Sequence, residues 1–217
     1  MTIRGVDLPI PSVIRGASLT DFDRHAREHG LDARALIREV GLPATVLNDA
    51  DMKVPASAVA SLLELATRRS GAMDWGMRMA EGRKLSNHGP LGLVLRDPST
   101  LSDALTSIAR HIRVHNEALA VELETGPDVV ILRLELTAEV KGPVRQFTEL
   151  VVGVTHRMLR LFLGTSWTPK LVCFAHAPGA SQAHYRKFFG CDVEFGCDFN
   201  GIVCRRADLA APNPRAD

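Results

Sequence analysis

Cysteine, histidine and glutamate carry most of the chemistry this sequence could do, and they fall in four places. The stretch HYRKFFGCDVEFGCDFNGIVCRRADL, residues 184–209, holds Cys191, Cys197 and Cys204, with His184 ahead of them and Cys173 upstream. A structural zinc knuckle needs a C-x₂₋₄-C spacing, because a short loop must aim two thiolates at one ion. Gaps of five and six residues lack it, so no metal is expected here. The cysteines read instead as small apolar side chains, with redox sensing as the next reading. His111 and His115 stand at i, i+4 on an expected helix, which can present two imidazoles to one ion. No third ligand is placed by sequence, and a solvated face beside Arg110 and Arg113 is the competing reading.

Glu149 and His156, seven residues apart, share one face of a long expected helix. Polar groups bordering an apolar stripe can line a pocket or form a solvated rim. His176 ends the apolar run LVCFA just before Pro178, where a side chain can reach a cavity mouth or cap a neighbouring helix. If these groups converge with His115, Glu149 would pair with an amine. His115, His156 and His176 would hydrogen-bond a carboxylate or hydroxyl. An amino acid or amine is then favoured over a sugar. Rim or capping roles for the same four residues remain the alternative, and the space between helical lobe and sheet is then the next place for a pocket.

The elements that must position these groups are readable by period. In SLTDFDRHAREHG a helix is expected after Ser18 or Thr20 as N-cap, and LDARALIREVG repeats the pattern with Asp32. PASAVASLLELATRRSG opens with Pro55 at a first helical position. MDWGMRMAEG is a shorter helix. Ser99 or Thr100 caps LSDALTSIARHIRVHN, whose stripe is Leu101, Ala104, Leu105, Ile108 and Ile112. The period then changes: ALAVELETG and DVVILRLELT form a hairpin about Gly126-Pro127-Asp128. Helix 143–163 follows, with Val144, Phe147, Val151, Val154, Met158 and Leu161 as its stripe. Leu150 and Leu163 fall partly off that stripe, which suggests an intermolecular contact. PKLVCFAHAP is a buried strand, SQAHYRKFFG a short helix, and DVEF and GIVCR two short strands. Tyr185, Phe188, Phe189, Phe195 and Phe199 make the cysteine-rich stretch core, each burial contributing on the order of 2 to 3 kcal/mol.

The fold expected is α+β: an N-terminal helical lobe plus a mixed, largely antiparallel sheet with one long and one short helix. Composition agrees with a globular chain: 217 residues, 46% hydrophobic, 24% charged, net charge +1. That balance lacks the basic face of a nucleic-acid reader. No apolar run reaches the roughly 18 residues a membrane span needs, and the N-terminus does not read as a signal peptide, so a cytoplasmic location is expected. No G-x-S-x-G, G-x-x-x-x-G-K-[ST], H-E-x-x-H or G-x-G-x-x-G signature is present. An enzyme using the His111/His115 or Glu149/His156 pairs is nonetheless kept as an alternative.

The order of HGPLGLVLRDPSTLSDAL, LRLFLG, PKLVCFAHAPGASQAHYRKFFGCDVEF, the hairpin bearing Asn200 and the tail LAAPNPRAD resembles one family. It is similar to the N-terminal, arabinose-binding-like sensor domain of AraC/XylS-type transcriptional regulators, over residues 15–217. Asp192, Cys197 and Gly201 depart from the family pattern in the final hairpin. The resemblance implies residues 1–17 as an extension and 18–205 as a sensing and dimerisation domain, with lobes 18–116 and 117–205. Residues 206–217 would begin a linker to a helix-turn-helix domain outside this chain. It also implies a small-molecule effector, no cofactor, a homodimer, and contact with promoter DNA and RNA polymerase only through the full-length protein. A dimerising module without ligand is the remaining alternative. Arabinose is not implied, because two tryptophans and one tyrosine supply few aromatic platforms.

Overall fold

The computed structural model describes residues 12–83, 98–137, 140 and 142–213. The turn in HGPLGLVLRDP, up to Asp97, and the last four residues of the tail lie outside these. Strand β1 (Val13–Arg15) pairs antiparallel with β2 (Lys53–Pro55), joining Ile14 to Val54. Between them lie α1 (Phe22–Glu28) and α2 (Ala33–Glu39), and after them α3 (Ala56–Ser70) and α4 (Trp75–Glu81). Next come α5 (Leu101–His115), the hairpin β3 (Leu119–Thr125) and β4 (Val129–Leu136), and α6 (Arg145–Leu163). The chain closes with β5 (Leu171–Phe174), α7 (Gln182–Phe189), β6 (Val193–Phe195) and β7 (Gly201–Arg205). The five-stranded sheet runs β3-β4-β7-β5-β6, antiparallel except for the β5–β6 pair. This is the expected α+β fold.

Local rules account for most boundaries. Asp32 accepts from the backbone N–H of Arg34 and Ala35, Thr100 from Asp103, and Ser181 from His184. Helix α1 departs from expectation. Ser18 lies in a 3-10 turn, Gly16–Leu19, and the Thr20 hydroxyl donates back to the Ala17 carbonyl. Asp21 enters the helix instead, with φ 65° in the left-handed region that aspartate tolerates better than most residues. Pro55 also shifts by one: it ends β2 and caps α3 rather than occupying the first helical turn. Among the described residues, strand β2 pairs with β1 alone, so proline's missing N–H costs no ladder bond.

The core divides into two clusters that do not follow chain order. The first gathers α1–α4 with Ile14 and Val54, and takes Phe147 and Leu150 from α6. The second holds the sheet and α7, and receives the whole expected stripe of α5 together with Val152, Met158 and Leu159 of α6. Helix α6 is therefore buried on more of its circumference than its stripe foretold. Leu150 is 3% exposed, which removes it as an intermolecular contact, and Leu161, assigned to the stripe, is 39% exposed.

Helices α4 and α6 cross closely at Gly76. A Cβ there would stand 2.1 Å from the Gln146 carbonyl oxygen and 2.9 Å from the Leu150 nitrogen. The fully buried Gln146 side chain accepts from the Gly76 N–H (2.7 Å) and donates to the Met73 carbonyl (2.8 Å). Its backbone N–H donates to Glu64 Oε1 (2.9 Å). One residue thus joins α3, α4 and α6.

The start of the expected linker has partners. The Ala211 carbonyl accepts from the Leu101 N–H, and Asn213 bonds the carbonyls of Ser99 and Pro98. Trp167 donates to Asp208 (3.0 Å), inside the 3-10 turn Arg206–Ala210.

Candidate functional site

Helix α6 separates two environments. The face carrying Phe147, Leu150, Val151, Val154 and Met158 looks into a cavity between the helical lobe and the sheet. Helix α5 contributes Leu105, Ile108 and Ile112, the hairpin Leu132 and Leu134, and β1 Ile14. The space open to the centre of a water molecule is about 120 Å³, several times what one ordered water occupies. The wall is predominantly apolar; Ser18 and Arg83 meet at one end of it, and Arg15, Asn116 and Thr155 are its other polar residues.

Arg83 dominates that end. Its guanidinium donates to the Ala17 and Ser18 carbonyls. Among the described residues its Nε and the Ser18 hydroxyl have no hydrogen-bond partner, although both are buried. Burial lowers the Arg83 pKa to about 10, against the opposing pull of Asp21. The group therefore stays cationic at neutral pH, inside an apolar wall and with donor capacity unused.

The opposite face of α6 carries Glu149 and His156. Glu149 is fully buried. Tyr185 donates its hydroxyl to Glu149 Oε1 (2.7 Å) and accepts from the Gly179 N–H (3.0 Å). Arg145 Nη1 and His176 Nε2 lie 3.8 and 3.9 Å from the same oxygen, while Oε2 has no partner among the described residues. Burial raises the Glu149 pKa to about 7, outweighing the Tyr185 hydrogen bond and the Arg145 charge, which both pull it down. His176 Nδ1 faces the Ala177 carbonyl (2.9 Å). If that nitrogen carries the proton, Nε2 is the acceptor facing Glu149.

The structure brings Glu149 and His176 together and keeps His156 apart from them. His156 is 1% exposed, and its ring lies 5.2 to 6.1 Å from those of Phe189, Phe188 and Trp167. Burial, helped by the charges of Arg160 and Arg157, lowers its pKa to about 4. His115 closes α5 beside the cavity residue Asn116. Glu149, His156 and His176 are not among the residues lining the cavity. His111 is exposed, with Nδ1 at 2.8 Å from the Ser107 carbonyl. The cavity's polar end escaped the sequence reading because Ser18 and Arg83 are far apart in the chain and neither belongs to a motif. Their only signal was a Ser and an Arg at the edges of apolar helices.

Residues 30–213 match the model of the arabinose-binding domain of AraC transcription regulators, N-terminal. The chain belongs to that family. Across 213 residues this AraC-type domain is 27% identical to the HTH-type transcriptional regulator VirS of Mycobacterium tuberculosis, in strains CDC 1551 / Oshkosh and H37Rv alike. The alignment covers 97% of this chain and 62% of the relative, so the chain spans less than two-thirds of the curated relatives it matches. A crystal structure of the transcriptional regulator CdpR from Pseudomonas aeruginosa superposes with a TM-score of 0.62 at 15% identity. That match covers 85% of this chain and 57% of that one, and at this identity it supports the AraC-type fold alone. Among the described residues of the domain, no helix is long and apolar enough to cross a membrane.

Proposed function

We propose that this chain is the effector-sensing and dimerisation part of an AraC-type regulator, and that the effector occupies the cavity between helical lobe and sheet. The observation that carries this reading is the apolar cavity with a buried, incompletely bonded arginine at one end. Small-molecule sites combine apolar walls with a few convergent polar groups. The charged group with unused donor capacity here is a cation, so the fitting effector has an apolar body and one carboxylate or comparable acceptor. This replaces the amine favoured by the sequence, because Glu149 faces away from the cavity and is already held by Tyr185. Binding shifts the regulator only if the effector favours one conformation over another. Contacts with promoter DNA and RNA polymerase belong to the full-length protein.

A thermal-shift panel of apolar monocarboxylates against their matched amines tests the assignment. A carboxylate at 100 times its dissociation constant should add about 2.7 kcal/mol of stability. Val154→Phe, which projects a ring into the cavity, should keep the fold and lose that response. Equal shifts by the amines, or an undiminished response in Val154→Phe, would exclude this site.

Of the two leucines expected at a dimer contact, Leu150 is buried, and exposed apolar residues offer the contact instead. Val114 near the end of α5 and Leu161 near the end of α6 are the large apolar side chains most exposed on those helices, at 76% and 39%. Sedimentation equilibrium should show a concentration-dependent dimer that Val114→Glu weakens. A monomer at all concentrations rejects dimerisation through this chain.

A further inference from the structure

We propose that Cys173, Cys197 and Glu194 bind one thiophilic divalent cation, of the zinc class, at the outer edge of the sheet. The two sulfurs and a Glu194 carboxylate oxygen all lie within 4.8 Å of one another. No local knuckle produces this cluster; the parallel pairing of β5 and β6 does. Cys173 stands opposite Glu194 in that register. The chain then turns at Gly196, whose φ of 72° is in the left-handed region. The turn brings Cys197 back over β5, where its N–H donates to the Phe174 carbonyl (3.1 Å).

The frame is fixed before any ion arrives. Gly196 N–H donates to the His176 carbonyl (3.3 Å), and the Asn200 side chain accepts from the Ala175 N–H (2.9 Å). Between Glu194 and Cys197, Phe195 stacks on Phe174 at 5.7 Å and 18° and meets Tyr185 edge-on at 4.9 Å. A cluster mounted on packed aromatics and paired strands loses little freedom on loading.

Donor chemistry selects the ion. Two thiolates favour soft and borderline ions over magnesium or calcium. Cys173 is buried, Cys197 half-buried and Glu194 exposed, so the cluster opens to solvent on one side. An ion can enter there, and water can complete a tetrahedral set. Thiolates are the metal-binding form, so an ion competes with protons for the sulfurs and affinity must rise with pH.

The test uses the reduced, chelator-stripped chain, titrated with Zn²⁺ and separately with Co²⁺. One equivalent should bind in competition with a chelator. The Co²⁺ form should show a thiolate-to-metal charge-transfer band and a tetrahedral visible spectrum. Cys197→Ser, in a half-exposed loop, should melt like the empty wild type, abolish the band and weaken Zn²⁺ binding by more than the ~10–100-fold typical of outer-shell changes. Glu194→Gln should keep the band while lowering affinity, and Cys191→Ser should change neither. The proposal falls if the reduced wild type binds no Zn²⁺, or if Cys197→Ser binds it as tightly. It also falls if mass spectrometry of that same preparation finds Cys173 and Cys197 joined, two hydrogens lighter.

Discussion

Replacing Glu149 by glutamine should make the protein more stable above pH 7. The folded carboxyl holds its proton up to about pH 7, whereas an unfolded one releases it near its ordinary 4.5. Between those values the folded state binds more protons than the unfolded state, so Glu149's contribution falls as pH rises through this window. The accumulated penalty above pH 7 is about 3 kcal/mol. A glutamine keeps the oxygen that accepts from Tyr185 and has no proton to lose, so most of that penalty should disappear at pH 8. Near pH 4.5 the variant and wild type should be equal. His156 works in the other direction. Its folded pKa is lowered from 6.5 to about 4, so stability is lost as pH falls through that interval, again by about 3 kcal/mol. The two slopes oppose each other over most of the same range. Glu149→Gln should therefore expose the acid sensitivity of His156, and adding His156→Leu should flatten it. Urea unfolding at pH 5, 6, 7 and 8 reads both effects. A Glu149→Gln variant that loses stability at pH 8 would refute the assignment of burial as the dominant influence.

The second large effect is expected at Gly76, where two rules predict opposite signs. Helix propensity alone gives Gly→Ala in α4 a gain of about 1 kcal/mol. Packing gives a loss, because the added Cβ would stand 2.1 Å from the Gln146 carbonyl oxygen, a backbone atom that no rotamer change can move. The helices must separate, and the Gly76 N–H bond to Gln146 goes with them. A loss of about 3 kcal/mol or more is expected. A gain, measured by denaturant unfolding, would mean that the α4–α6 contact relaxes at little cost.

Features with a local cause were legible in the sequence. The stripe of α5 is fully buried, Asp32 caps as expected, Thr100 rather than Ser99 caps α5, and the hairpin turns at Gly126–Asp128. What depended on tertiary contact was not legible. The three-residue strands β1 and β2 exist because they pair with each other across about 40 residues, with too little length for any period to show. The apolar count of α6 marks one stripe, yet Glu149 and His156 are buried too. The cost of burying Glu149 is met in part by Tyr185, which comes from a later helix. The cysteines were sorted by their spacing along the chain, whereas strand pairing sets Cys173 against Glu194 and Cys197. The cavity is space left between lobes, and space has no sequence signature.

Helix α6 contributes Phe147 and Leu150 to one apolar cluster and Val152, Met158 and Leu159 to the other, and Val151 packs against both. Neither cluster can melt while the helix keeps the other intact without stripping apolar surface from a shared rod. Helical lobe and sheet should therefore unfold as one cooperative unit. Calorimetry should record a single heat-absorption peak, with calorimetric and van't Hoff enthalpies equal.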